Sequence, residues 1–306
     1  MVFSGTANPA LAEAVSREAG MPLGKCEVER FPDGEVTVRL ATPVRGKEVF
    51  LLQSTSPPVD EHLVELLAFA DACRRAAAAR ITAIIPYFGY SRADKRVGRR
   101  EPIMARVVAD VLAASGVHHL IFVDPHTPQL EGFFCGPVDS LTAVPTLCRA
   151  LAGRLPEGAV VVAPDAGRVQ LATDYANRLG IPLVVLHKRR ESGTETHVTH
   201  VVGDVADRPC LIVDDMISTG GTIAGSVEAL LEAGARPEMV VAATHGLFVG
   251  SAREKLSHPA VREIVVADTV PPPAWDRPPV RVASVAPLLA EAIRRILSGG
   301  SLRELF

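Results

Sequence analysis

A chain of 306 residues, 48% hydrophobic and 22% charged, has the balance of a globular protein, and its length predicts about two domains of roughly 150 residues. Its net charge of −3 leaves no global footprint of a nucleic-acid or membrane-surface protein, and no run reaches the roughly 18 apolar residues of a membrane helix. Neither nucleic acid nor membrane is therefore expected as a partner. The five cysteines, at 26, 73, 135, 148 and 210, form no CxxC pair and no Cys/His metal spacing, so reduced thiols and a cytoplasmic setting are expected. The opening MVFSGTANPALAEAVSREAG has no basic stretch, and Asn8, Pro9 and Glu13 break its apolar part, so it does not read as a signal peptide.

In chain order, EVFLLQ (48–53) predicts a buried strand and EHLVELLAFADACRRAAAA (61–79) an amphipathic helix. ITAIIPYF (81–88), ARVVADVLAASG (105–116) and HLIFVD (119–124) repeat the alternation. A boundary is expected near 145–157. A second series follows: strand 158–165, helix 169–180, strand 182–187, strand 210–215, helix 223–234 and strand 239–246. The Pro-rich DTVPPPAWDRPP (268–279) reads as a surface loop before a terminal helix, 285–298. Strands alternating with helices of this length predict an α/β fold of parallel sheets. Two similar domains are expected, 1–148 and 149–290, with the tail 291–306 packing back on the first. Residues 48–88 and 209–246 form a weak internal repeat of strand, polar loop, helix and strand.

CLIVDDMISTGGTI (210–223) is the most informative stretch. An apolar strand ends in two carboxylates, Asp214 and Asp215, followed by Ser218, Thr219, Gly220, Gly221 and Thr222 and then a helix. The hydroxyls, the permissive glycine backbone and the free N–H groups of the helix start make a phosphate cradle. Carboxylates beside it suit a vicinal ribose diol, to which they offer hydrogen-bond acceptors. The stretch thus reads as a ribose 5-phosphate site. The plainer alternative is a strand–turn–helix with Ser218 or Thr219 as helix cap. GMPLGKC (20–26) lacks the glycine spacing of a P-loop.

This stretch resembles the phosphoribosyl-pyrophosphate motif of the phosphoribosyltransferase fold. With FPDGE (31–35), PYFGYSRADKR (86–96), REPI (100–103), DPHTPQLEGFF (124–134), PDAG (164–167) and HKRR (187–190) in the same order, the chain resembles the ribose-phosphate pyrophosphokinase family. The resemblance implies two phosphoribosyltransferase-type domains. It also implies transfer of the diphosphoryl group of ATP to ribose 5-phosphate, with Mg²⁺, in a homo-oligomer that is a hexamer in the family. It makes Phe31, Asp33, Gly34, Glu35 and Arg92 the ATP contacts, His126 and Asp165 the metal ligands, and Lys188 and Arg190 the catalytic cations. Arg190 also belongs to the ribose 5-phosphate side. After HKRR, RESGTETHVTH reads as a mobile loop, in which His197 and His200 form no metal site. Pro125, Ala93 and Ser218 depart from the family pattern. Arg99, Gly98 and Arg303 stand where the family's regulatory phosphate site has other residues; Asp94, Glu101 and Glu304 are expected to neutralise these arginines. A plain phosphoribosyltransferase and a non-catalytic homologue are the alternatives. The first would not need FPDGE or DPHTPQ, and the second should have lost Lys188, Arg190 or His126.

Overall fold

A computed structural model describes residues 1–192 and 195–306, with side chains described outside 188–199. The chain divides into two compact units. One comprises Met1–Thr142, Thr269–Pro271 and Ser284–Phe306, and the other Ala143–Asp268 and Pro272–Ala283.

The first unit contains β1 (Val2–Ser4), α1 (Pro9–Ala19), β2 (Cys26–Arg30), β3 (Val36–Leu40), β4 (Glu48–Leu52), α2 (Val59–Arg75), β5 (Arg80–Ile85), α3 (Met104–Ser115), β6 (His119–Val123) and β7 (Val138–Leu141). Its five-stranded sheet runs β1-β4-β5-β6-β7, every pair parallel. β6 is buried throughout and β5 from its second residue, as the continuous apolar runs of a sheet covered on both faces require. Phe50, Ile84 and Phe122 are among the largest fully buried side chains. β2 and β3 form a separate antiparallel hairpin. Its tip is the FPDGE turn: Gly34 N–H donates to Phe31 O (2.9 Å) and Glu35 N–H to the Asp33 carboxylate (3.1 Å). Pro32, Asp33 and Gly34 predict that turn.

The second unit contains α4 (Val144–Leu151), β8 (Val160–Ala163), α5 (Val169–Leu179), β9 (Leu183–Ser192), β10 (Glu195–Val202), β11 (Cys210–Ile217), α6 (Gly221–Glu232), β12 (Met239–Gly246), α7 (Ala252–Leu256), β13 (Val261–Ala267) and β14 (Val280–Ala283). Its seven strands run β10-β9-β8-β11-β12-β13-β14. All neighbours are parallel except β9 and β10. The predicted repeat corresponds to β4-α2-β5 and β11-α6-β12, each a pair of adjacent parallel strands joined by a helix.

Three expectations are corrected. Where it is described, the stretch after HKRR is strand rather than loop: β9 continues to Ser192 and pairs antiparallel with β10, which starts at Glu195. The segment 145–157 carries helix α4, because Val144, Leu147, Cys148 and Leu151 share one buried face and draw the helix into the second unit. The Pro-rich segment is not wholly on the surface, since Thr269 and Val270 are buried. The last helix, α8 (Ala286–Ser298), packs along α1, and Arg294 Nη1 donates to Glu18 O at 2.7 Å.

Among the described residues no helix is long and apolar enough to cross a membrane. The five cysteines are free. Burial pushes the Cys73 thiol up to about 12 and those of Cys148 and Cys210 up to about 11. The thiolate is the reactive form. Alkylating the native protein near pH 8 is therefore expected to modify no thiol but the exposed Cys135, as peptide mapping will report. Modification of Cys73 without denaturant would contradict the packing described.

Candidate active site

β8 hands the chain through α5 to β9 on one side, while β11 hands it through α6 to β12 on the other. The two strands are paired neighbours, Val160–Val162 against Cys210–Ile212. Their connections diverge, and a crevice beyond the carboxyl ends of such strands is where open α/β sheets bind ligands. Three carboxylates of the sequence reading stand at these strand ends. Asp165 follows β8, half-buried, and its Oδ1 accepts the Gly167 N–H at 2.8 Å. Asp214 and Asp215 lie within β11, 7% and 4% exposed.

Adjacent residues of a strand point to opposite faces, yet these two carboxylates converge. Arg168 Nε lies 3.1 Å from Asp214 Oδ1 and 3.3 Å from Asp215 Oδ1. Asp214 Oδ1 also accepts the Asp215 N–H at 2.9 Å. Burial, and then the neighbouring Asp215 carboxyl, push the Asp214 carboxyl well above the usual carboxylate range, against the pull of Arg168.

The cradle follows. Ile217 O accepts the amides of Leu247 and Phe248, and Ser218 O accepts that of Val249, so the β12–α7 connection braces the loop. Ser218 is half-buried, while Thr219, Gly221 and Thr222 are exposed. Gly220 has φ +76°, and a Cβ there would meet Leu256 Cγ at 3.1 Å, so both its backbone and its neighbours require glycine. α6 starts at Gly221 with no side-chain cap. Lys255 Nζ and Thr219 Oγ1 each lie 3.9 Å from the point a Cβ on Gly221 would occupy. An ammonium, a hydroxyl and a helix start thus face one exposed spot, which suits a phosphate.

The ligand-facing end of the first unit's sheet holds Arg92 and His126. Arg92 is exposed and lies seven residues past β5; His126 is half-buried, three past β6. Asp124, which takes φ +38° and donates its N–H to Leu141 O at 2.9 Å, turns the chain between β6 and His126. Phe31, Asp33, Gly34 and Glu35 sit exposed at the tip of the β2–β3 hairpin, outside the main sheet. The tip end of β2 is anchored, where Arg30 pairs with Val36. Glu65, fully buried on α2, accepts from Thr6 N–H (2.7 Å), Thr6 Oγ1 (2.6 Å), Gln53 Nε2 (2.9 Å) and Arg30 Nη2 (2.9 Å). Arg30 immediately precedes Phe31.

Lys188 and Arg190 lie on β9. β9 pairs with β8 only as far as Val185 and then runs past its carboxyl end. The side chains of Lys188 and Arg190 lie outside the described residues, as does that of His197. Arg168 and Lys255 escaped the sequence reading. Arg168 lay three residues beyond Asp165 in the same turn, a usable signal; Lys255 enters from a helix with no motif.

A family model described as the N-terminal domain of ribose phosphate pyrophosphokinase matches residues 1–116, and one described as a phosphoribosyl synthetase-associated domain matches residues 192–306. A ribose-phosphate pyrophosphokinase of Caldanaerobacter subterraneus subsp. tengcongensis is 43% identical over 307 residues, spanning 100% of this chain and 97% of that protein. The chain belongs to the ribose-phosphate pyrophosphokinase family. A second such relative, of Corynebacterium efficiens, is 44% identical over 310 residues and is covered to 95%. The crystal structure of phosphoribosylpyrophosphate synthetase from Mycobacterium smegmatis matches with a TM-score of 0.91 at 42% identity, covering 98% of this chain and 99% of that one.

As a family member the chain is an enzyme of the transferase class. The basic loop after Arg92 differs from expectation in its wiring. Glu101 Oε2 accepts the backbone N–H groups of Val97 (3.0 Å) and Gly98 (2.8 Å), and Glu304 pairs with Arg295 (3.0 Å). Among the described residues neither Arg99 nor Arg303 makes an ion pair.

Proposed function

We propose that this enzyme transfers the β,γ-diphosphoryl group of ATP to the anomeric hydroxyl of ribose 5-phosphate, giving phosphoribosyl pyrophosphate and AMP for nucleotide biosynthesis in the cytoplasm. The observation that carries the reading is the acidic pair beside an uncapped loop–helix start at the strand divergence. Asp214 and Asp215 accept the ribose diol. Ser218, Thr219, Gly220, Gly221 and Thr222 hold the 5-phosphate. Phe31 stacks on adenine, Asp33 and Glu35 read its edge across the Gly34 turn, and Arg92 takes the phosphates. Lys188 and Arg190 meet the charge that develops as the diphosphoryl group moves in line, a transfer in which positioning and charge neutralisation do most of the work.

Mg²⁺ suits hard oxygen donors and takes one or two carboxylates alongside phosphate oxygens and water. The half-buried Asp165 carboxylate at a strand end fits that set; the softer His126 imidazole fits as one contact among substrate oxygens. When bound, the ion neutralises phosphate charge and orients the attacking hydroxyl. The working form is a homo-oligomer, a hexamer by analogy with the family, in which the hairpin tip serves a neighbouring subunit. A coupled assay for AMP from ATP and ribose 5-phosphate tests the reaction. No AMP under saturating Mg²⁺ would refute it.

Asp214→Asn is expected to weaken ribose 5-phosphate binding by about thirtyfold, roughly 2 kcal/mol, because an amide replaces a charge-assisted acceptor. ATP binding should stay near the parent value. Separate titrations distinguish the two, and equal losses would mean the acidic pair is misassigned.

The Glu101 carboxylate fills a pair of backbone donors that a regulatory anion could otherwise use, so the loop is ordered from within. Omitting free phosphate, at fixed Mg²⁺ and ionic strength, is expected to slow initial rates by less than about tenfold, or 1.4 kcal/mol. A larger drop would show that the loop still waits for an anion.

A further inference from the structure

We propose that Arg168 is a positioning residue that holds Asp214 and Asp215 together as matched acceptors for the sugar diol. The inference rests on the ribose 5-phosphate reading above. It starts from a conflict within β11. Two neighbouring carboxylates on one strand lean to opposite faces, and both are almost fully buried. A diol needs two ionised acceptors on the same side at the same moment. Desolvation and mutual repulsion oppose that state, and a pair left alone relieves the strain by taking up a proton or turning apart.

Arg168 removes the conflict from across the strand divergence. It ends the short turn Ala166–Arg168 after β8, which Asp165 fixes through its carboxylate to Gly167 N–H (2.8 Å) and its carbonyl to Arg168 N–H (3.2 Å). The guanidinium therefore comes from a tethered turn that follows a strand paired to β11. One Nε reaches the Oδ1 atoms of both acids, at 3.1 and 3.3 Å, and so sets their separation and facing. The side chain is 17% exposed, at the rim rather than in the core. A guanidinium keeps its charge where an ammonium would shift. It also offsets part of the negative field that the acids present to an incoming sugar phosphate.

The test compares Arg168→Met and Arg168→Lys with the parent as full-length protein, by calorimetric titration with ribose 5-phosphate and by the AMP assay. Arg168→Met is expected to raise Kd and KM for ribose 5-phosphate by about ten- to hundredfold, the loss of one or two charge-assisted contacts. KM for ATP should move less than about threefold, and most of the effect should fall in KM rather than kcat. Arg168→Lys should recover part of the loss. A merely structural ion pair would damage both substrates alike and show no rescue. Unchanged ribose 5-phosphate affinity overturns the proposal, and so does tighter binding, which would mark Arg168 as a competitor for the diol's place. Should Arg168→Met fail to fold by circular dichroism, Arg168→Gln takes its place under the same criteria. A parent that forms no AMP refutes the reaction itself; an active parent with unmoved variants refutes only the role of Arg168.

Discussion

Lys188→Ala is expected to lower turnover at least about a thousandfold, roughly 4 kcal/mol of barrier, with little change in the affinity for either substrate. β9 runs beyond the carboxyl end of β8, carrying Lys188 and Arg190 past the strand end that Asp165 and Arg168 follow. Charge spread over transferring phosphoryl oxygens is greatest in the transition state, so a cation acting there appears in kcat rather than KM. The aliphatic remainder of alanine replaces neither charge nor donor. Near-parent turnover in single-turnover measurements would remove Lys188 from the chemistry.

The second large effect is on stability. Glu65→Ala should cost about 3 kcal/mol, because it strands the Thr6 and Gln53 donors and leaves Arg30 without its buried partner. Glu65→Gln keeps the shape and one acceptor and should cost less. Both should also loosen the β2–β3 hairpin, since Arg30 ties the tip end of β2 to α2. Urea unfolding of the two variants, with hydrogen exchange over residues 26–40, separates the effects. A Glu65→Ala midpoint equal to the parent's would show that water satisfies these donors.

The buried strands and their helices were legible because a sheet covered on both faces needs unbroken apolar runs. ITAIIPYF became β5, which starts one residue earlier and ends three earlier, at Ile85, and HLIFVD became β6 but for its last residue. The acidic pair and cradle were legible because strand end, carboxylates and glycines are consecutive in sequence. What escaped depended on contacts between distant residues. The β9–β10 hairpin joins polar strands whose pairing, not composition, makes them strands. Arg168 gains its meaning only when β8 and β11 become neighbours, over forty residues apart in the chain. Glu65, one acid on an amphipathic helix, looks like any surface charge until the ends of β1 and β4 close over it.

α8 belongs to the first unit although the whole second unit is threaded before it. A ribosome releases the first-unit sheet early, yet the partner of α1 emerges last. Until then Leu11, Ala12 and Val15 have no Leu289, Ala290 or Ile293 beyond them in the chain to share burial with. A nascent chain stopped after Thr142 therefore carries an exposed greasy stripe, and it is the completed polypeptide, not the completed sheet, that a chaperone can let go.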